Sequence, residues 1–289
     1  MKKDLHCKYS ILDKDVCSEH KVGRINICSS VILHNHDGYE IILFLGGKDV
    51  SYFVESDGKV LERGDLIFIS PFAFHGLKLI DVSSYERAVI HIRPPYLQSL
   101  SDKNIDLSLC FHKMPAKRLN VIHLNEPEIQ RFVSIADALE KTISTRSYGH
   151  TILEKAYLSE LMVMANQCAE TFHTQLYSNI MPSVVKKTFE FVDEHITSDI
   201  TVESLAVHFH HNSDYLSRAF KATTGLSLKH YITAKKIALA QQYLCQGTPP
   251  SDVCFMIGYN NYSSFSRRFS AQVGMSPKQY QQNSQLSSL

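Results

Sequence analysis

No stretch of this chain is apolar for long. Uninterrupted apolar runs such as Ile41 to Leu45 fall far short of the roughly 20 residues that a membrane-spanning helix needs, and the amino terminus MKKDLHCKYS has two lysines with no apolar segment behind them. Neither secretion nor membrane insertion is expected; a cytoplasmic location is. With 12 glycines and 9 prolines the chain is too poor in both for a fibrous or long disordered region. Its 7 cysteines, at 7, 17, 28, 110, 168, 245 and 254, are odd in number and scattered, which excludes a fully paired disulfide ladder and the Cys-x-x-Cys spacing of structural zinc sites. Reduced thiols are expected. Also missing are a nucleophile set beside its base, a phosphate-cradling glycine loop and a close carboxylate pair. The expectation is a protein that is not an enzyme and holds no cofactor.

What is present suits a folded chain of two or three modules: 289 residues, 44% hydrophobic and 20% charged. The formal net charge of +1 conceals a polarity. From Ile200 onward there are 8 basic against 3 acidic residues, and before it 22 basic against 26 acidic. A basic final third on a faintly acidic body is expected where one module faces a polyanion.

From about Val22 to Ile92 the chain reads as short strands, INICSSVIL, YEIILFL, VSYFVES, DLIFIS and YERAVIHI, separated by the turn signals HDG, GGKD, SDGK and ERGD. This spacing predicts an antiparallel sandwich or small barrel over 1–115. From Glu126 to Thr174 the apolar spacing turns helical, predicting two amphipathic helices with a turn near SYGH in a segment 116–180. Its apolar positions Leu153, Tyr157, Leu161 and Met164 are candidates for dimerisation, or for covering the barrel. Asn179 to Ser183 reads as a linker, and 181–289 as wholly helical.

The most specific signal is a repeat. SRAFKATTGLSLKHY (Ser217 to Tyr231) and SRRFSAQVGMSPKQY (Ser266 to Tyr280) agree at eight of fifteen positions at a fixed offset of 49, so a structural unit is duplicated. Each copy follows a short helical segment and a tight turn, HHN or GYNN. That order, helix, turn, second helix, is the order of a DNA-reading motif. Thr201 with Ser204 can cap the first copy; Gly258 can turn with positive φ; Gly225 and Gly274 can stop the second helices. The outward residues are short and polar or basic: Asn212, Ser213, Asp214, Ser217, Arg218 and Lys221 on the first, and Asn261, Tyr262, Ser263, Ser266, Arg267 and Arg268 on the second. Arginine can bond guanine bidentately, and Asn, Ser and Tyr can meet base edges, phosphates or a thymine methyl. Ser227 to Leu244 predicts one stiff connecting helix of about 27 Å, and Lys235 and Lys236 on it are expected to meet phosphate. A helical protein-binding adaptor is the other reading of paired basic helices.

Over about 100 residues the tail resembles the DNA-binding domain of the AraC/XylS family of bacterial regulators, on YLSRAFKATTGLSLKHY and IGYNNYSSFSRRFSAQVGMSPKQY. The resemblance implies a seven-helix domain acting at promoters, with double-stranded promoter DNA and RNA polymerase as partners; a homodimer is expected from the apolar faces of the middle helices. The resemblance places Asp214, Ser217 and Arg218, and Tyr262, Ser263, Ser266 and Arg267, nearest the bases. Lys236 stands where the family usually has Arg, and Pro250 where it has an aliphatic residue.

The front segment HNHDGYE, with GDLIFISP and His75, resembles the cupin pattern in outline but departs from it after Pro71. The overall expectation is an α+β multidomain chain: a cupin-like antiparallel barrel, a helical middle and an all-α double helix-turn-helix domain. Strand alternation would put His34 and His36 on one face. With Glu40 and His75 they could line a pocket for a small-molecule effector, a carbohydrate by resemblance, with Arg24 and Tyr39 in support. The same four are candidate metal ligands, although no metal is expected, and a cupin-type metal-dependent enzyme with a helical tail is the alternative.

Overall fold

A computed structural model describes residues 12, 14–23, 33–79, 84–112, 119–171 and 178–286. The chain divides into two compact units, the first ending at Ile180 and the second beginning at Met181; Leu33 to Asn35 belong with the second.

The first unit runs β1 (Val16–Val22), β2 (Tyr39–Gly46), β3 (Ser51–Val54), β4 (Asp57–Val60), β5 (Asp65–Ile69), β6 (His75–Lys78), β7 (Glu86–Ile92), α1 (Pro94–Leu100), α2 (Leu109–His112), β8 (Asn120–His123), α3 (Glu126–Thr145) and α4 (His150–Thr171). The strands form two antiparallel sheets, β1-β7-β2-β5-β8 and β4-β3-β6. The expected closed barrel is not formed: among the described residues no strand pairing joins the sheets. Most of the strand INICSSVIL, and Arg24, lie outside the described residues.

The large sheet is a middle layer. On one face Ile42, Phe44, Ile67, Ile69 and Val89 pack with Tyr52 and Val54 of the small sheet. On the other, Ile41, Leu43, Leu66, Phe68 and Ile90 pack with Phe132, Leu139, Leu158 and Leu161 of α3 and α4. A strand covered on both faces has no polar side, which is why β2 reads as the unbroken run IILFL. The open edge of β1 is guarded by α3, where Glu140 Oε2 accepts from the His20 amide and the Ala136 carbonyl from Ser18 Oγ, both at 3.0 Å. A reciprocal capping box, Asn125 with Glu128, starts α3. Leu161 and Met164, expected on a dimer face, are turned into this core, so only Leu153 and Tyr157 of that set keep exposure. The first half of the expected linker is built in: Asn179 accepts from the Gly58 amide at 3.1 Å and donates to the Ser56 carbonyl at 3.1 Å, and the Ile180 amide donates to the Gly58 carbonyl at 3.0 Å.

The second unit has seven helices among the described residues: α5 (Ser183–Glu194), α6 (Val202–His208), α7 (Ser213–Thr224), α8 (Leu228–Cys245), α9 (Pro250–Met256), α10 (Tyr262–Val273) and α11 (Pro277–Leu286). Helix α8 is its axis. Tyr231 joins Phe189 and Phe220, with ring centroids 4.8 and 5.3 Å away, while Ile237, Ala240 and Leu244 join Val253, Cys254, Phe265 and Phe269. Among the described residues, no helix is long and apolar enough to cross a membrane.

Candidate nucleic-acid interface and buried histidine cluster

Each copy of the repeat folds as a helix, a tight turn and a second helix. In the first, Thr201 Oγ1 accepts from the Ser204 amide and Ser204 Oγ from the Thr201 amide, both at 3.0 Å, which starts α6. Asn212 caps α7 by accepting from the Asp214 amide at 2.8 Å, and Gly225, at φ 75°, ends it. In the second, Asn261 caps α10 by accepting from the Ser264 amide at 3.0 Å, and Gly274, at φ 85°, ends it. The turn between α9 and α10 needs Gly258: its φ is +80°, and a Cβ there would lie 2.0 Å from the Thr197 carbonyl oxygen. Leu216 and Phe220 in α7, and Phe265 and Phe269 in α10, are buried. The opposite face of α7 exposes Asp214, Arg218 and Lys221, with Ser213 and Ser217 half-buried; that of α10 exposes Tyr262, Ser263, Arg267 and Arg268, with Ser266 half-buried. Such faces can enter a major groove and offer donors to base edges and phosphates.

In the first unit four polar side chains converge within the layer between the sheets. Glu40 on β2 stands opposite His91 on β7 in the strand register, and His75 begins β6 in the other sheet, opposite Val54. Glu40 Oε2 lies 3.0 Å from His36 Nε2 and 2.9 Å from His75 Nε2; its Oε1 lies 3.3 Å from His91 Nε2. Burial pushes the Glu40 carboxyl up, but the facing His91 and His75, with hydrogen bonds from His36 and His75, outweigh it and hold the group well below the usual carboxylate range. Burial lowers His36; at His91 burial also lowers, yet the Glu40 charge wins and the group is raised. Tyr52 stacks on His75 with centroids 6.4 Å apart, and Arg87 lies 5.0 Å over the ring of Tyr85, whose hydroxyl burial pushes up to about 12.

Residues 205–283, spanning α6 to α11, match a family model described as a helix-turn-helix domain. The carboxy-terminal region is an AraC-type helix-turn-helix domain. Among curated proteins, the Melibiose operon regulatory protein of Escherichia coli (strain K12) is 25% identical over 260 residues, covering 87% of this chain and 84% of that protein. The Probable transcriptional regulator LumQ of Photobacterium leiognathi is 24% identical over 250 residues, covering 86% and 91%. Among solved structures, ToxT from Vibrio cholerae is 14% identical, covers 93% of this chain and 98% of its own, and has a TM-score of 0.37.

Within the AraC-type domain two expected phosphate ligands prove to be internal. Lys236 Nζ donates to the Ser198 carbonyl at 2.9 Å and lies 5.8 Å over the Tyr259 ring, and Lys235 pairs with Asp193 at 3.1 Å. Helix α8 is enclosed along most of its length, so side chains expected to face DNA are used to hold the fold. The side-chain oxygens of Asn212 and Asn261 are likewise engaged in capping.

Of the front-unit candidates, the structure brings His36, Glu40 and His75 together and adds His91, which the sequence reading missed. His34 is not part of this group: it sits in the segment Leu33 to Asn35 that belongs with the AraC-type domain, and His34 and His36 lie in isolated bridges, so strand alternation does not relate them. Tyr39 stands apart at a cleft of about 590 Å³ lined also by Leu97, Gln98, Ser101, Asp102 and Asp106.

Proposed function

We propose that this chain is a sequence-specific DNA-binding transcription regulator whose two helix-turn-helix units read adjacent major grooves and whose front unit binds a small-molecule effector. The observation that carries the reading is the pair of second helices, α7 and α10, capped alike, ended alike by a left-handed glycine, and each exposing a basic polar face. The family match over 205–283 supports it, as does alignment along most of the chain with proteins named as regulators. Bases are read by Asp214, Ser217 and Arg218 and by Tyr262, Ser263, Ser266 and Arg267; Ser213, Lys221 and Arg268 serve phosphate. The protein acts in the cytoplasm as a homodimer, works with RNA polymerase and is not an enzyme.

The effector is a carbohydrate. This is supported by the relative named for the melibiose operon and by the Tyr39 cleft, which sets an aromatic ring among Gln, Ser and Asp side chains suited to hydroxyl groups. The buried histidines, turned on one another, are less suited to meet a sugar directly. Selection of bound duplexes from a random pool with the full chain is expected to enrich two half-sites about one helical turn apart, and calorimetry across a carbohydrate panel to find a ligand. No enriched motif would reject the DNA-reading role; no heat with any sugar would reject the carbohydrate.

A further inference from the structure

We propose that the two half-sites differ at one position: Asp214 makes the half-site under α7 require a cytosine next to the guanine taken by Arg218, whereas Ser263 leaves the matching position under α10 tolerant of all four bases. The inference rests on the DNA-reading role proposed above and names the bases which that role selects.

Around their arginines the two second helices are a matched pair with one chemical difference. At the fixed offset of 49, Arg218 corresponds to Arg267 and Asp214 to Ser263. Each arginine donates Nε to the backbone oxygen four residues earlier, at 3.3 Å in both copies. An acid four positions before an arginine is a favourable order for a side-chain ion pair on a helix, yet Arg218 bonds the Asp214 backbone and not its carboxylate. Among the described residues that carboxylate has no hydrogen bond and no ion pair, and both Asp214 and Ser263 are exposed. A first-turn carboxylate can also serve a helix by offsetting its dipole. Helix α10, of the same 12 residues as α7, has no acid in its first turn, so the fold does not require one.

An ionised carboxylate accepts hydrogen bonds and donates none. In the major groove guanine shows the acceptors N7 and O6, thymine the acceptor O4 beside a methyl group, and adenine the donor N6 beside the acceptor N7. Cytosine shows the donor N4 alone. Of the four, only cytosine meets a carboxylate with a donor and no acceptor or methyl group beside it. Any other base sets an acceptor or a methyl group against a charge that is losing its water, in a field already made negative by phosphate. Side chains one helical turn apart, about 5–6 Å at Cβ, reach successive base pairs stacked about 3.4 Å apart. The cytosine therefore adjoins the guanine that suits the Arg218 fork. A serine hydroxyl both donates and accepts, and rotates to suit, so Ser263 meets any of these edges.

The test is duplex selection from a random pool with the full chain, the parent beside Asp214→Ser and Ser263→Asp, followed by affinities for duplexes carrying each base at the position in question. That position adjoins the guanine whose preference Arg218→Ala relaxes. In the parent, replacing its cytosine should weaken binding roughly tenfold or more, while the matching position of the other half-site should vary by less than about threefold. D214S should shrink the first spread to that of the second. S263D should give the second half-site a cytosine requirement, a gain that loss of fold cannot imitate. Another base favoured under α7, parent preferences kept in D214S, or no cytosine selected by S263D would overturn the proposal and leave the DNA-reading role standing. If no duplex is enriched by the parent, both fall.

Discussion

Arg218 and Arg267 hold the same pose in the two copies of the repeat: each donates Nε to the carbonyl four residues earlier, Asp214 and Ser263, at 3.3 Å in both. Among the described residues the Nη groups of neither arginine have a hydrogen-bond partner. The internal bond steadies the planar fork and leaves its outer edge without an intramolecular bond. Arg218→Ala and Arg267→Ala should each cost about 1–3 kcal/mol on the selected duplex and relax its sequence preference at separate positions. Competition between selected and random duplexes checks this, and equal losses on both would assign the arginines to phosphate.

Lysines of the same domain should separate into two kinds. Lys221 is exposed, and Lys221→Ala should reduce the slope of log affinity against log salt by about 1. Lys236 is buried against Ser198 and Tyr259. Lys236→Met should leave the salt slope unchanged while lowering unfolding stability by about 1–3 kcal/mol, because a carbonyl loses its donor. A salt slope that falls in K236M would return this lysine to the DNA.

How far the sequence could be read depended on the range of the interaction. Caps, glycine stops and the offset of 49 are local, and they were visible as Thr201 with Ser204, Gly225 with Gly274, and the repeated Ser-Arg-x-Phe. The inward turn of Lys235 and Lys236 was not, because a helix enclosed on nearly all sides has no polar stripe to orient it. His91 was missed for a different reason. Its neighbour Glu40 lies 51 positions away in the chain and meets it only through the β2–β7 register, although Val89 and His91 alternate as one face. The barrel was expected from strand spacing; the run IILFL, apolar on both faces, was the signal that the sheet lies between two other layers.

Glycines with the same backbone sign should differ in what they tolerate. Gly258→Ala meets both a positive φ and the Thr197 carbonyl, whereas Gly274→Ala at φ +85° has nothing within 4 Å of its new Cβ. The second should cost about 1–2 kcal/mol from backbone strain alone; the first should cost more, through displacement of the α9–α10 turn. Thermal unfolding of the two variants checks the order, and equal losses would show that the turn yields to the added methyl group.

His20 gives the first unit a pH dependence of known sign. It bonds Glu86 and Asp137, both at 3.1 Å. Burial lowers its pKa, but these partners outweigh it and the net shift is upward. A group raised on folding stabilises fully below its unfolded value, about 6.5, and that contribution fades as pH rises through the higher folded value. The stability difference between parent and His20→Gln should therefore shrink from pH 6 upward. Denaturant unfolding of both proteins across that range measures it; a difference independent of pH would remove the linkage.

Because Tyr231 belongs to the core of one repeat and Leu244 to that of the other, one rod of 18 residues is shared property. The two halves, though copies, have given up the freedom to melt or drift separately. A lesion in either should lower both in a single transition, and the spacing of α7 and α10 is set by a part that neither half owns.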